Sequence, residues 1–278
     1  PRSSKSPMRA KIPYLGIRQK KVFDDIMSQI ADSVQKEEDE FACSTTGNVA
    51  ERNAPGGSEC DEENEHNSRY REKEYWDKRF TKEDKYEWLC TYNDVKDYIV
   101  RDICVHDKIL VLGCGNSTFS ADLHDAGFHN VTSVDFSPNV IEAMKKKYND
   151  SHPSLEWQVG DVRQLDGFSG ESFDIVIDKA CLDALVCDEG DPWSPNERTK
   201  NDMYATLKCV SRVLKRNGVS NANHRKFISI GFQQPHFRKR YLINDHVKFG
   251  WEDNVETFPI NVGLGYFYMV CIPKCREI

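Results

Sequence analysis

Residues 108–123 read KILVLGCGNSTFSADL. The apolar run Ile109–Leu112 ends abruptly at Gly113-Cys114-Gly115, and a helix-like pattern follows. A short, uninterrupted apolar run bounded by a glycine turn suits a strand buried on both faces of a parallel sheet. A strand, a glycine turn and a helix in that order form the usual opening of a nucleotide-type pocket in an open α/β sheet.

The same rhythm continues on either side. KILVLG (108–113), VTSVDF (131–136), LEWQV (155–159), FDIVID (173–178) and KFISIGF (226–232) read as strands. TFSADLHDAG (118–127), PNVIEAMKKKYND (138–150) and RTKNDMYATLKCVSRVLKRNG (198–218) read as the helices between them. Pro138 suits a first helical turn, and Gly127 and Gly218 suit helix ends. The tail breaks the alternation: VETFPI and GYFYMVCI are separated only by NVGLG, which reads as a hairpin. The expected fold is α/β: a Rossmann-like, doubly wound, seven-stranded, mostly parallel sheet with an antiparallel terminal hairpin and helices on both faces.

Bulk properties narrow the class. Across 278 residues the formal net charge is −7, which argues against nucleic acid as a partner of the whole surface. No stretch approaches the roughly 20 apolar residues of a membrane span, and no signal-peptide pattern is present. None of the ten cysteines forms a Cys-x-x-Cys pair, so they read as reduced, mostly buried thiols of a cytoplasmic protein. Residues 1–21 hold seven bases and no acid, while residues 22–66 hold thirteen acids against Lys36 and Arg52. Residues 1–68 therefore read as a largely disordered charged extension, within which Val22, Ile26, Ile30 and Val34 are spaced for one short helix face. Residues 69–278 read as the folded domain.

The glycine turn also narrows the ligand. A dinucleotide site wants a third glycine where Thr118 stands, and a phosphate-binding loop wants Gly-Lys-Ser/Thr, which is absent. Gly113-x-Gly115-x-Ser117 suits a nucleoside ligand without a pyrophosphate, and S-adenosylmethionine is one. Asp135, at the end of the second strand, can accept both ribose hydroxyls. Asp161, after the third, can take the adenine amino group, with Val162 beside it. Each acid alone could be a cap or loop residue; two at successive strand ends favour a ligand.

Taken together, VLGCGNS, SVDFS, QVGDV and FDIVIDKACLDAL resemble the class I, seven-strand S-adenosylmethionine-dependent methyltransferases. More narrowly, the chain is similar to the protein lysine methyltransferases that modify translation elongation factor 1-alpha. Tyr75-Trp76, Phe80, Trp88, Ser211–Leu214 and Pro235-His236-Phe237-Arg238 add to the match, which covers about 70 to 275. The resemblance implies cofactor contacts at Trp76, Phe80, Trp88, Gly113, Gly115, Asp135, Phe136, Asp161, Val162 and Lys179. The three aromatics would fold back as a lid, their faces suiting a sulfonium, unless they are plain packing. Lys179 would turn its backbone rather than its ammonium to the sulfonium, unless it is a surface lysine. The chain departs from the family at Ala180-Cys181, where Gly-Thr is usual, and at the insertion VSNANHRK (219–226).

The expected reaction is transfer of a methyl group to a protein lysine of elongation factor 1-alpha by a monomer, with no metal, nucleic acid or membrane. A lysine must lose its proton to attack, and an apolar channel beside the sulfonium would promote that. Asp178, Asp183 and His236, with Phe237, are the candidates to line the channel. Alternatives stand beside each: an ion pair to Lys179 for Asp178, a helix cap for Asp183, an exposed loop position for His236. Amine methyltransferases for adenine or glutamine typically carry Asn/Asp-Pro-Pro-aromatic where DKACLD stands here. A cysteine nucleophile for RNA carbon methylation would have to be Cys181. A small-molecule acceptor, or a methyltransferase-like binding module with little activity, are the other readings.

Overall fold

A computed structural model of the chain describes residues 67–216, 224–244, 248–263 and 265–275. The charged extension and its short helix face lie outside the described residues, except that packing already begins at Asn67, which is buried. Gly218 and residues 219–223 of the insertion also lie outside; of its remainder, Lys226 opens a strand.

Seven strands form one sheet. In chain order they are β1 (Ile109–Leu112), β2 (Val131–Asp135), β3 (Glu156–Val159), β4 (Ile175–Lys179), β7 (Lys226–Gly231), β8 (Glu256–Ile260) and β9 (Tyr266–Cys271). Two further strands, β5 (Gly190–Asp191) and β6 (Ser194–Pro195), make a separate small hairpin. The order across the large sheet is β3-β2-β1-β4-β7-β9-β8. The first five strands are parallel, and β9 runs antiparallel between β7 and β8. The doubly wound sheet and the terminal hairpin are as the sequence suggests. β1, β2 and β4 are buried along their whole length, and β1 is an unbroken apolar run for that reason.

Helices close both faces: α1 (Lys73–Phe80), α2 (Tyr92–Asp102), α3 (Phe119–Asp125), α4 (Pro138–Tyr148), α5 (Cys181–Val186), α6 (Glu197–Val213) and α7 (Pro235–Leu242). Pro138 stands in the first turn of α4 behind an N-capping Ser137, and Gly127 leaves α3 at φ +98°. None of the described helices is long and apolar enough to cross a membrane. The chain leaves β1 outward through β2 and β3, then returns to the other side of β1 as β4. That reversal opens a crevice above the carboxyl ends of β1 and β4, the place where open α/β sheets bind ligands. The eight described cysteines are free, but fewer are buried than expected: Cys90, Cys114 and Cys271 are buried, Cys181, Cys187 and Cys209 are half-buried, and Cys104 and Cys275 are exposed.

Candidate active site

The crevice begins at the glycine turn. Gly113 and Gly115 have φ of +52° and +51°, a region that L side chains rarely enter. A Cβ on Gly113 would lie 2.5 Å from the Cys181 sulfur at the start of α5. The glycine is therefore needed twice, for its backbone angle and for the closeness of α5. Asp135 ends β2 beside this turn and is buried. Its carboxylate accepts the Gly115 N–H at 2.9 Å and the Ser137 N–H at 3.0 Å. Burial pushes its pKa up to about 6, against the lowering effect of those amides. With one amide on each oxygen, the group keeps lone pairs for further donors.

Glu87 lies against the start of α3, just past the glycine turn. It accepts the Ser117 hydroxyl at 2.7 Å and both the amide and the hydroxyl of Thr118, at the start of α3. An anion of the protein's own thus fills the helix N-terminus, in keeping with a ligand that has no phosphate. Glu87 also holds the Lys179 ammonium at 3.3 Å, and the Trp88 carbonyl accepts from the same ammonium at 3.0 Å. Burial raises the Glu87 pKa, but Lys179 and the other donors outweigh it and keep the carboxyl below its usual range. Lys179 is only 7% exposed, so it is not a surface lysine. Its charge is drawn away to Glu87.

The three aromatics pack against one another beside the glycine turn. Trp76 stacks on Phe80 at 5.6 Å between ring centroids and meets Trp88 edge-on at 5.7 Å. The Phe80 ring lies over Gly115, where a Cβ would approach it to 3.4 Å. The Arg79 guanidinium sits over Trp88 and Tyr86 at 5.0 and 4.9 Å and is paired with Glu83 at 2.8 Å. All three expected lid aromatics are half-buried. Phe136, just past Asp135, is half-buried too.

Other expected residues have different partners. Arg163 grips both Asp161 oxygens, with its Nη2 at 2.7 Å from Oδ2, and outweighs burial to lower that carboxyl's pKa. Arg163 also reaches Asp202 at 3.4 Å, and Asp202 meets the buried Arg71 at 2.6 Å. Val162 is buried in the main apolar cluster. Asp178 corrects an expectation: it is neither in a channel nor paired with Lys179. It is fully buried, accepting the Leu182 N–H at 2.9 Å and the Ser229 hydroxyl at 2.7 Å, so it ties α5 and β7 to β4.

Asp183 is buried at the end of β7, where it accepts the Phe232 N–H at 3.1 Å and the Arg238 guanidinium. It is not the N-cap of α5, which is Ala180. Burial pushes its pKa up to about 7, against Arg238 and helped by Asp178. The sequence points to a loop at His236, but Pro235 starts α7 and His236 is exposed on its first turn. Its ring lies against Phe237 and Trp193 at 4.0 and 5.7 Å. Phe237 itself is buried. Cys181 is no nucleophile in waiting: burial pushes its thiol well above the ordinary range.

The departure at residue 180 has a physical cost. Ala180 sits at φ +67°, where a non-glycine residue loses about 1–2 kcal/mol. Glycine's extra unfolded-state entropy returns about 0.4–1 kcal/mol of that. Ala180→Gly is therefore expected to stabilise the chain by about 0.5–1 kcal/mol, seen as a raised urea midpoint at unchanged slope. A lowered midpoint would contradict the strain.

Comparison with known proteins agrees with this geometry. A family model described as a methyltransferase domain matches residues 110–220. The chain is 38% identical over 209 residues to EEF1A lysine methyltransferase 4 of Mus musculus, covering 74% of this chain and 77% of that protein. The Bos taurus protein of the same name is 38% identical over 219 residues, covering 77% and 80%. The eEF1A lysine and N-terminal methyltransferase of Homo sapiens is 31% identical over 180 residues, which cover 64% of this chain but 24% of that longer protein.

Proposed function

Because the chain belongs to the methyltransferase family, in the group of the EEF1A lysine methyltransferases, we propose the following reaction. It transfers a methyl group from S-adenosylmethionine to a lysine ε-amine of translation elongation factor 1-alpha. The observation that carries the cofactor is the buried Asp135 carboxylate beside two positive-φ glycines and the packed aromatics.

S-adenosylmethionine supplies an electrophilic methyl on a sulfonium. The chain's residues bind, align and shield. Asp135 accepts the two ribose hydroxyls with the lone pairs its amides leave free. The backbone of Gly113 and Gly115 takes the amino-acid arm. Asp161 and Val162 border the adenine, with Arg163 fixing the Asp161 carboxylate. Trp76, Phe80, Trp88 and Phe136 exclude water and offer π faces to a cation. Glu87 keeps the Lys179 ammonium off the sulfonium side. Glycine-turn and lid residues thus do the alignment on which an in-line displacement depends.

The acceptor lysine has to arrive neutral, though its ordinary pKa is about 10.4. A dry approach lowers that value. Asp183, at the end of β7 beside Gly231 and with its carboxyl pushed up to about 7 by burial, is the acid we assign to hold the departing proton. His236, exposed on α7, belongs to the outer wall of the approach.

The test is incubation of the purified chain with a cell extract containing elongation factor 1-alpha and methyl-labelled S-adenosylmethionine. Protease-sensitive, RNase-resistant label on that factor supports the reading. Label in RNA or in small molecules sinks it.

A further inference from the structure

Trp193 is 56% exposed and is the one aromatic among the exposed large hydrophobic side chains of the described residues. It is also held in place. It sits in the turn of the β5–β6 hairpin, where Gly190 pairs with Pro195 and Asp191 with Ser194. Its backbone N–H donates to the Asp191 carboxylate at 3.0 Å. The Arg240 guanidinium donates to the carbonyls of Pro192 and Trp193 at 2.8 and 2.7 Å. Beneath it the indole meets Phe237 edge-on at 4.9 Å. With the turn's backbone fixed and the indole resting on Phe237 and His236, much of the freedom that binding would cost is already lost, and tryptophan is enriched among interface hot spots.

Its position connects it to the reaction. The hairpin follows directly on α5, whose first residue touches Gly113 and whose Asp183 faces Gly231. Its root is tied to the same cluster. Glu189 accepts the Gln233 amide at 3.0 Å and the Tyr241 hydroxyl at 2.7 Å, both from the chain around α7 that also carries Arg238. Of the acids around the turn, Asp188 is paired with Arg71 and Glu197 with Lys200, and Glu189 is buried, which leaves Asp191 as the exposed carboxylate beside Trp193. The one base against the turn, Arg240, is spent on its carbonyls. An exposed apolar ring beside the Asp191 carboxylate fits a lysine-bearing protein face, since a lysine stem covers apolar surface while its ammonium remains near an acid.

We propose that Trp193 anchors the protein substrate, the hairpin of β5 and β6 docking the lysine-bearing face beside the site. The proposal rests on the lysine methyltransferase reading above. Trp193 touches the substrate surface and takes no part in binding the methyl donor.

The test is steady-state methylation of elongation factor 1-alpha by the full chain and by Trp193→Ala, Trp193→Phe and Val100→Ala. Val100 is 64% exposed on α2 and serves as a control elsewhere on the surface. Trp193→Ala is expected to raise KM for the protein about thirtyfold, the size of a hot-spot truncation, with kcat within about twofold. Affinity for S-adenosylhomocysteine and Tm should not move. Trp193→Phe should recover most of the loss, and Val100→Ala should change nothing. An unchanged KM in Trp193→Ala overturns the proposal, as does a rise in KM that comes with weakened cofactor binding or a fall in Tm. A wild-type chain that labels no protein sinks the underlying reading and this proposal with it. A wild type that labels the factor while the variant keeps its KM sinks this proposal alone.

Discussion

Asp135→Ala should weaken S-adenosylhomocysteine binding by at least about a hundredfold, because two hydrogen bonds to a charged acceptor contribute about 1.5–3 kcal/mol each. The wild-type chain should show the same chemistry as a pH dependence. Asp135 has a pKa of about 6 in the protein, raised by burial from 3.8. Ribose hydroxyls need an acceptor, and the protonated acid is a poorer one. Affinity should therefore be flat above about pH 6 and fall roughly tenfold per unit below it. Stability carries the opposite sign. A folded-state pKa above the unfolded value means the fold disfavours the charged form, so Asp135 subtracts stability as pH rises from about 4 to about 6. Calorimetric titration from pH 5 to 8 checks the affinity and thermal melts from pH 4 to 7 check the stability: each dependence should be present in the wild type and absent in Asp135→Ala. Affinity that is pH-independent in the wild type would remove Asp135 from the pocket.

Arg238→Met should be the most destabilising single change on the β4–β7 side. Arg238 is fully buried and meets Asp183, which is itself buried. Breaking such a pair costs about 3–5 kcal/mol when it strands a charge. Two features pull the cost to the lower end. The Arg238 Nε and Nη1 have no partner, so removing them also removes a desolvation penalty. Asp183, with its pKa already near 7, escapes by taking a proton once Arg238 no longer lowers it. The loss should be about 3 kcal/mol at pH 8 and smaller at pH 6, and Asp183→Asn with Arg238→Met should recover part of it. Thermal melts at the two pH values decide. A loss that grows on acidification would contradict the assignment.

The sheet was legible because short β-branched and aromatic runs alternate with helical patterns, and its hairpin because two such runs stand five residues apart. Helix α7 was not. Its buried face includes Arg238 beside Phe237, Tyr241 and Leu242, so PHFRKRYL shows no clean apolar stripe. Asp135 could be found from its place at a strand end. The same signal misled at Asp178, since a strand-terminal acid that braces a helix looks identical in sequence to one that meets a ligand. Glu87 had no local trace at all: its partners Ser117, Thr118 and Lys179 lie 30, 31 and 92 residues away. Trp193 was equally hidden, because exposure is decided by the hairpin that lifts it out.

One measurement bears on the central claim most directly: peptide mass spectrometry of elongation factor 1-alpha after incubation with S-adenosylmethionine and either the wild-type chain or Asp135→Ala. The expected result is methyl groups on a lysine side chain with the wild type and none with the variant. Methylation confined to the amino terminus or to a non-lysine residue, or equal lysine methylation by both chains, would contradict it.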